Sequence, residues 1–179
     1  MGLSNNILIK NATNSDKDQI ERLLYKCFGS MAKDKGALDW IEGQYVVAVS
    51  YEKQKPTDEA RQKIVALSGI LPLEKSAFNG YEITWTCTDE NYRRRGLITK
   101  ILRLCENQLP NDHKPLYCDC WRIGNKENKN IAGLMNKLGM QEVIWAREHY
   151  IYPHTKICTD CPYRHKGCAC SIDLYMKER

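Results

Sequence analysis

Long apolar runs are missing from this 179-residue chain: no stretch approaches the roughly 20 consecutive apolar residues that span a bilayer. The opening MGLSNNILIK has neither a basic leader nor a long apolar segment, so a membrane-spanning or visibly exported protein is not expected and the chain reads as cytoplasmic. N-myristoylation after Gly2 wants Ser or Thr at position 6, where Asn6 stands. Internal repeats and low-complexity linkers are also missing, which leaves one domain of ordinary size as the expectation. A strong excess of one charge is absent too: 27 basic against 22 acidic residues gives +5, which suits an anionic small ligand better than a dedicated nucleic-acid surface.

With 42% apolar and 27% charged residues, the chain has the balance of a globular protein with a full core, which excludes fibrous and disordered classes. Thr13, Asn14 and Ser15, with Asp18 three residues after Ser15, resemble a capping box and predict a helix starting near Asp16. Ile20, Leu23, Leu24, Cys27 and Phe28 then form one apolar stripe at helical spacing, and Gly29 is its stop. A weaker helical stretch covers 31–41. Residues 44–51 (QYVVAVSY) and 64–71 are rich in β-branched and aromatic side chains and flank a charged loop, predicting two antiparallel strands. Residues 81–88 (YEITWTCT) make another strand, and Ile98, Ile101, Leu102, Cys105 and Leu109 a further helical stripe. Residues 116–122 read as a strand; Ile131, Leu134, Met135 and Leu138 read as a helix ending at Gly139. Strands over 141–152 and 170–177 close the chain.

The stretch TCTDENYRRRGLITK, residues 86–100, carries the most chemistry, because it sets a basic, glycine-containing turn between a strand and a helix start. The first N–H groups of a helix have no intrahelical acceptor and the helix dipole is positive there, so main-chain atoms from Arg94 to Thr99 could hold a phosphate, with Gly96 permitting close approach. By itself, a run of three arginines is ordinarily a solvated surface turn.

Arg93-Arg94-Arg95-Gly96-Leu97-Ile98 resembles the Arg/Gln-x-x-Gly-x-Gly/Ala signature of the GNAT superfamily of acetyl-CoA-dependent N-acetyltransferases. Asp89 and Tyr92 are typical neighbours of that signature, and residues 128–140 (NKNIAGLMNKLGM) are similar to the family's second marker, Asn-x-x-Ala followed by Leu-Tyr-x-x-x-Gly-Phe. Ile98 replaces the usual third small residue, which would narrow the turn, and Met135 stands where many members carry a tyrosine acid. The resemblance implies one α+β (α/β) domain over the whole chain, with a mixed, mostly antiparallel sheet of about seven strands flanked by about four helices. Its last strand would lie beside the fifth.

The same resemblance implies acetyl-CoA as cosubstrate, bound in a splay between the fourth and fifth strands. Its amides would pair with Thr86, Cys87 and Thr88, its pyrophosphate would meet Arg93, Arg94, Arg95, Gly96, Leu97, Ile98 and Thr99, and Asn128 would approach from the other side. The acceptor would be a primary amine on a small molecule or peptide, attacked directly in a ternary complex. Since such an amine, with a pKa near about 10, is mostly protonated at neutral pH, a base is needed. Glu82 matches a position that often carries it and Asp119 is the competitor; a Thr88 N–H would face the oxyanion. Cys87 raises an acetyl-cysteine alternative, against the plainer reading of a packed strand cysteine.

Nine cysteines are many. Cys27, Cys87, Cys105, Cys118 and Cys120 lie in apolar patterns and read as reduced core residues. Cys158, Cys161, Cys168 and Cys170, in a Cys-rich loop over 153–170, match the count of a tetrahedral zinc site, with His165 as a spare ligand. Structural zinc, reduced packing beside Cys118 and Cys120, and disulfide or redox behaviour are the open readings. A non-catalytic CoA-binding or zinc-dependent regulatory module is therefore the alternative to an enzyme. Trp40, Trp85, Tyr150 and Tyr152 could line an acceptor pocket or simply pack. Neither nucleic acid nor membrane is expected as a partner, and the oligomeric state, a homodimer included, is left open.

Overall fold

The computed structural model describes residues 7–29, 46–52, 63–75, 78–122, 129–143 and 171–179. In chain order these form β1 (Ile7–Asn11), α1 (Lys17–Phe28), β2 (Val46–Glu52), β3 (Lys63–Lys75), β4 (Phe78–Thr88), α2 (Leu97–Glu106), β5 (Leu116–Arg122), α3 (Lys129–Lys137), β6 (Gln141–Glu142) and β7 (Ser171–Lys177). The sheet has seven strands in the order β1-β2-β3-β4-β5-β7-β6. Pairs β1–β2, β2–β3, β5–β7 and β6–β7 are antiparallel and β4–β5 is parallel, the mixed α+β sheet expected, with the last strand beside the fifth. Three α-helices lie among the described residues; the expected helix over 31–41 lies outside them. No described helix is long and apolar enough to cross a membrane.

Chain contacts gather into two compact units, Met1–Leu71 with Thr84–Pro110, and Pro72–Ile83 with Asn111–Arg179. In the first, the α1 stripe Ile20, Leu23 and Leu24 is buried against Val47, Val49, Tyr51, Ile64, Leu67 and Cys87, and each such aliphatic side chain contributes about 1.5–3 kcal/mol of burial free energy. The start of α1 corrects the sequence reading. The box closes on Thr13 and Asp16 rather than Ser15 and Asp18: Asp16 Oδ2 accepts from the Thr13 N–H and the Thr13 hydroxyl, both at 2.9 Å. A 3-10 turn over Asn14–Asp16 then leads into the helix. Gly29 ends α1 as expected, at φ 62°, its N–H donating to Tyr25 O at 2.8 Å. In α2 the buried face is Leu97, Ile101, Leu102 and Cys105. Ile98 is only half-buried and Leu109 falls beyond the helix, because the helix starts at Leu97 and sets the stripe one residue earlier than expected.

In the second unit, β5 and β7 pair from Leu116↔Lys177 to Arg122↔Ser171. Leu73, Tyr117 and Leu174 form its apolar cluster, with Phe78, Val143 and Met176 packed against it. The end of α3 is a Schellman closure, with Met140 N–H donating to Met135 O and Gly139 N–H to Asn136 O, each at 3.0 Å, and Gly139 at φ 75°. Of the strand expected over 141–152, β6 is the described part and 144–152 lie outside the described residues. Cys118 and Cys120 face Tyr175 and Asp173 across the β5–β7 pair, and their sulfurs are 3.7 Å apart. Cys168 and Cys170, expected near them as one reading, lie outside the described residues.

The β4–β5 register depends on a close approach. Tyr81 N–H donates to Pro115 O at 2.9 Å, and a Cβ on the preceding Gly80 would stand 2.3 Å from that same oxygen. Gly80→Ala is therefore expected to lower stability by about 1–3 kcal/mol, the usual cost of overpacking. A thermal melt checks it, and an unchanged midpoint would contradict the crowding.

Candidate functional site

β4 ends at Thr88, and the chain passes through Asp89, a 3-10 turn over Glu90–Tyr92 and the three arginines before α2 starts. Arg94 and Gly96 both take left-handed backbone, at φ 62° and 72°. Glycine adopts that conformation without steric cost. A Cβ at Gly96 would meet nothing within 4 Å, so conformation rather than crowding favours glycine there, and the space over the turn is open. Lys100 N–H donates to Gly96 O at 3.3 Å, the first α-helical bond of α2 among the described residues. The N–H groups of Leu97, Ile98 and Thr99 are thus left at the positive end of the helix. Leu97 is buried and can offer a ligand only its main chain; Ile98 and Thr99 are half-buried, and Arg93, Arg94, Arg95 and Gly96 are exposed.

This turn is pinned by a residue read from the sequence only as a typical neighbour. Asp89 is 2% exposed, and its carboxylate accepts from Lys26 Nζ, Lys63 Nζ and the Asn91 N–H, each at 3.2 Å, while its own N–H donates to Val65 O at 2.8 Å. Burial pushes its pKa up, but the Asn91 N–H and the two lysines outweigh that and hold the carboxyl below the usual carboxylate range. The hydrogen bond to Asp89 in turn raises the Lys26 ammonium. Tyr92 donates its hydroxyl to Glu52, and that bond with burial pushes the phenol up to about 12. The Tyr92 ring lies under the Arg95 guanidinium at 4.9 Å and Lys63 Nζ at 5.8 Å. Arg95 Nη2 donates to Asn91 O at 3.0 Å and Arg93 Nε to Thr88 O at 3.4 Å. Two of the three arginines therefore brace the turn rather than simply trailing into solvent.

On β4, the Thr86 hydroxyl is engaged with Ser68 Oγ at 2.7 Å, Thr88 is half-buried, and Cys87 is buried in the α1 core. Trp85 bends the strand at φ 50° and packs edge-to-face on Phe28, with ring centroids 5.5 Å apart. The two candidate bases lie in the second unit. Glu82 is half-buried and in register with Tyr117 on β5; Asp119 is exposed two residues further along β5. Strand alternation puts Glu82, Tyr117 and Asp119 on one face of the sheet. The Cys118 thiol is pushed well up by its bond with Cys120 and by burial, with a smaller contribution from the two carboxylates. Met135, 2% exposed, is a core residue. Asn128, Trp40, Tyr150, Tyr152 and Cys158, Cys161, Cys168 and Cys170 lie outside the described residues. Among the described residues no group of three or more His, Cys, Asp or Glu is placed to hold a metal.

The sign of the Asp89 shift gives a pH dependence. A carboxylate depressed in the folded state contributes its full stabilisation above its unfolded value of about 3.9, and loses it as pH falls through the folded value. Asp89→Asn is expected to cost about 1–2 kcal/mol at pH 7, modest because both lysines are half-exposed. The gap to the wild type should close in strong acid. Urea unfolding at both pH values measures it, and a gap that persists at low pH would contradict the ion-pair origin.

No protein-family model and no curated relative matches the sequence. Solved structures do match over nearly the full length of both chains. A GNAT-family acetyltransferase from Bacillus cereus ATCC 10987 is similar at TM-score 0.64 and 11% identity, covering 99% of this chain and 99% of its own. An aminoglycoside 6'-N-acetyltransferase complexed with coenzyme A is similar at TM-score 0.64 and 10% identity, covering 96% of each chain. Arabidopsis thaliana NAA60 in complex with a bisubstrate analogue is similar at TM-score 0.59 and 13% identity, covering 97% of this chain and 99% of its own. The chain has the GNAT fold, the fold of the GNAT-family acetyltransferases.

Proposed function

We propose that the chain is an N-acetyltransferase of the GNAT superfamily, moving the acetyl group of acetyl-CoA to a primary amine of a small molecule or peptide. The observation that carries this reading is the turn after β4, where the start of α2 presents the N–H groups of Leu97, Ile98 and Thr99 under open space at Gly96 while Asp89 fixes the turn from below. Main-chain donors at a helix start suit a pyrophosphate, and the exposed Arg94 adds positive charge. Thr86 and Thr88 would offer β4 main-chain groups to the pantetheine arm, with a Thr88 N–H facing the developing oxyanion. The acetyltransferases of the same fold, one holding coenzyme A and one a bisubstrate analogue, support the chemistry.

Direct transfer is favoured over an acetyl-cysteine route by the state of Cys87. Its side chain is buried, and the neighbouring Cys27 together with burial pushes the thiol well above the ordinary range, so little thiolate exists at neutral pH. For the base, Glu82 is preferred to Asp119 because it is half-buried whereas Asp119 is exposed. Glu82 would take a proton from the acceptor ammonium directly or through water. Since Met135 is buried in the core, the acid is not expected there. A CoA thiol has a pKa in the range of about 8.5, so its thiolate can leave and take a proton from water.

Calorimetric titration with acetyl-CoA and with CoA tests the first half of the reading. Micromolar binding is expected, and Gly96→Asp should abolish it while keeping the fold, because the new side chain meets nothing nearby and Asp tolerates left-handed backbone. Unchanged binding by the folded variant, or none by the wild type, would overturn the site. Amine screening then tests the second half. Glu82→Gln is expected to lower kcat by about 10²–10⁴ and flatten its acidic limb with acetyl-CoA affinity intact; a larger loss in Asp119→Asn would reassign the base.

A further inference from the structure

The two cysteines of β5 belong neither to the turn nor to the proposed base. Cys118 and Cys120 are buried, 6% exposed each, and their sulfurs are in S–H···S contact at 3.7 Å. They alternate with Asp119, so both thiols lie on the face of the sheet opposite that residue and Glu82. Tyr175 and Asp173 of β7 stand opposite them, and among the described residues the β4 ladder ends at Ile83↔Cys118. We propose that Cys118 and Cys120 form a dithiol site for a trivalent arsenical, an R–As group that bridges the two sulfurs.

The geometry of the strand selects this occupant. An extended strand advances about 3.3 Å per residue, so Cβ atoms two positions apart stand roughly 6.6 Å from each other, against the about 3.5–4.5 Å that a disulfide requires. The ladder from Leu116↔Lys177 to Arg122↔Ser171 holds β5 extended through both cysteines. The side chains lean together to 3.7 Å, which suits a single bridging atom and not a direct bond. Zinc wants four ligands, and no third His, Cys, Asp or Glu among the described residues is placed to join the pair. A linear two-coordinate ion with bonds as long as zinc–sulfur, about 2.3 Å, would hold the sulfurs about 4.6 Å apart. Trivalent arsenic is soft, is pyramidal rather than linear, and carries its own carbon substituent, so two thiols at this separation complete its coordination.

The arsenical, as R–As=O, condenses with the two thiols. Two As–S bonds form, the bonds from arsenic to oxygen break, and both thiol protons leave on that oxygen as water. Arsenic stays trivalent and neither sulfur is oxidised. Because the reaction consumes S–H groups, the burial that keeps the Cys118 thiol protonated does not oppose it. Reactants and adduct are all neutral, so no charge has to enter the buried site. Nothing in this chemistry needs the N–H groups of the turn, so it stands apart from the acetyl-transfer reading.

The test is incubation of the folded full chain with phenylarsine oxide, removal of the excess, unfolding, alkylation with iodoacetamide, and mapping of every cysteine by peptide mass spectrometry. Cys118 and Cys120 are expected to escape alkylation together. Their protection should survive excess glutathione, a monothiol that cannot match a chelating pair, and should be released by dithiothreitol. Cys118→Ser and Cys120→Ser should each expose the remaining cysteine to alkylation, and the wild-type map decides the matter even where a variant folds poorly. Alkylation of both cysteines in the treated wild type, an adduct that forms only in urea, protection lost to glutathione, or an arsenical that joins either cysteine to a residue other than its strand neighbour would overturn the proposal.

Discussion

A carboxylate taken out of water must be paired or it costs several kcal/mol, and the turn after β4 is organised around one such carboxylate. Asp89 draws its partners from three places: Lys26 at the end of α1, Lys63 at the start of β3, and the Asn91 N–H inside the turn itself. Any movement of the turn away from β3 or α1 would strip a buried charge of its partners. The β-ladder helps in the same direction, since the Asp89 N–H is bound to Val65 O. The position of the first residues of α2 is therefore fixed by the protein before any anion arrives, and a donor array that is already in place binds without the cost of ordering itself.

The same constraint explains how the arginines are used. A run of three cations would repel itself if all of them sought the same space, yet Arg93 and Arg95 are committed to carbonyls of Thr88 and Asn91, and Arg95 also covers the Tyr92 ring. Tyr92 is itself held by Glu52. Two cations thus support the shape of the turn and Arg94 is left exposed at its left-handed corner. On the proposed reading, the specificity for a pyrophosphate comes from main-chain geometry and the arginines set the surrounding field, which is the division of labour expected where a helix start binds phosphate.

Local chemistry and the order of the strands were legible in the sequence, and the long-range meetings of side chains were not. Strand propensity placed β4 and β5, and Gly29 and Gly139 both stop helices in left-handed or near-left-handed backbone as their positions suggested. The start of α1 was ambiguous for a definite reason: Thr13 with Asp16 and Ser15 with Asp18 have the same spacing, and only the burial of Asp16 chooses between them. The offset in α2 is similar, because Leu97 and Ile98 both continue the stripe and the cap at Gly96 decides which one faces the core. Asp89 meets lysines 63 and 26 residues away, and no periodicity encodes such a meeting. Cys27 and Cys87 illustrate the same limit: each reads alone as a core residue, and they join one cluster only once α1 lies against the sheet.

Met135 shows how a departure from a family pattern can have a structural cause of its own. It closes the C-terminus of α3, its carbonyl accepting from Met140 N–H while both side chains are buried, so the position is committed to packing. A phenol there would bring a hydroxyl that needs a partner in an apolar setting. Under the proposed chemistry that loss falls on the easier proton transfer. An amine conjugate acid near about 10 must be deprotonated before it can attack, whereas a thiolate whose conjugate acid lies near about 8.5 leaves as a tolerably stable anion. The chain can therefore dispense with a dedicated acid more readily than with a base. In the proposed reaction that demand for a base falls on Glu82, half-buried on the same strand that leads into the Asp89 turn.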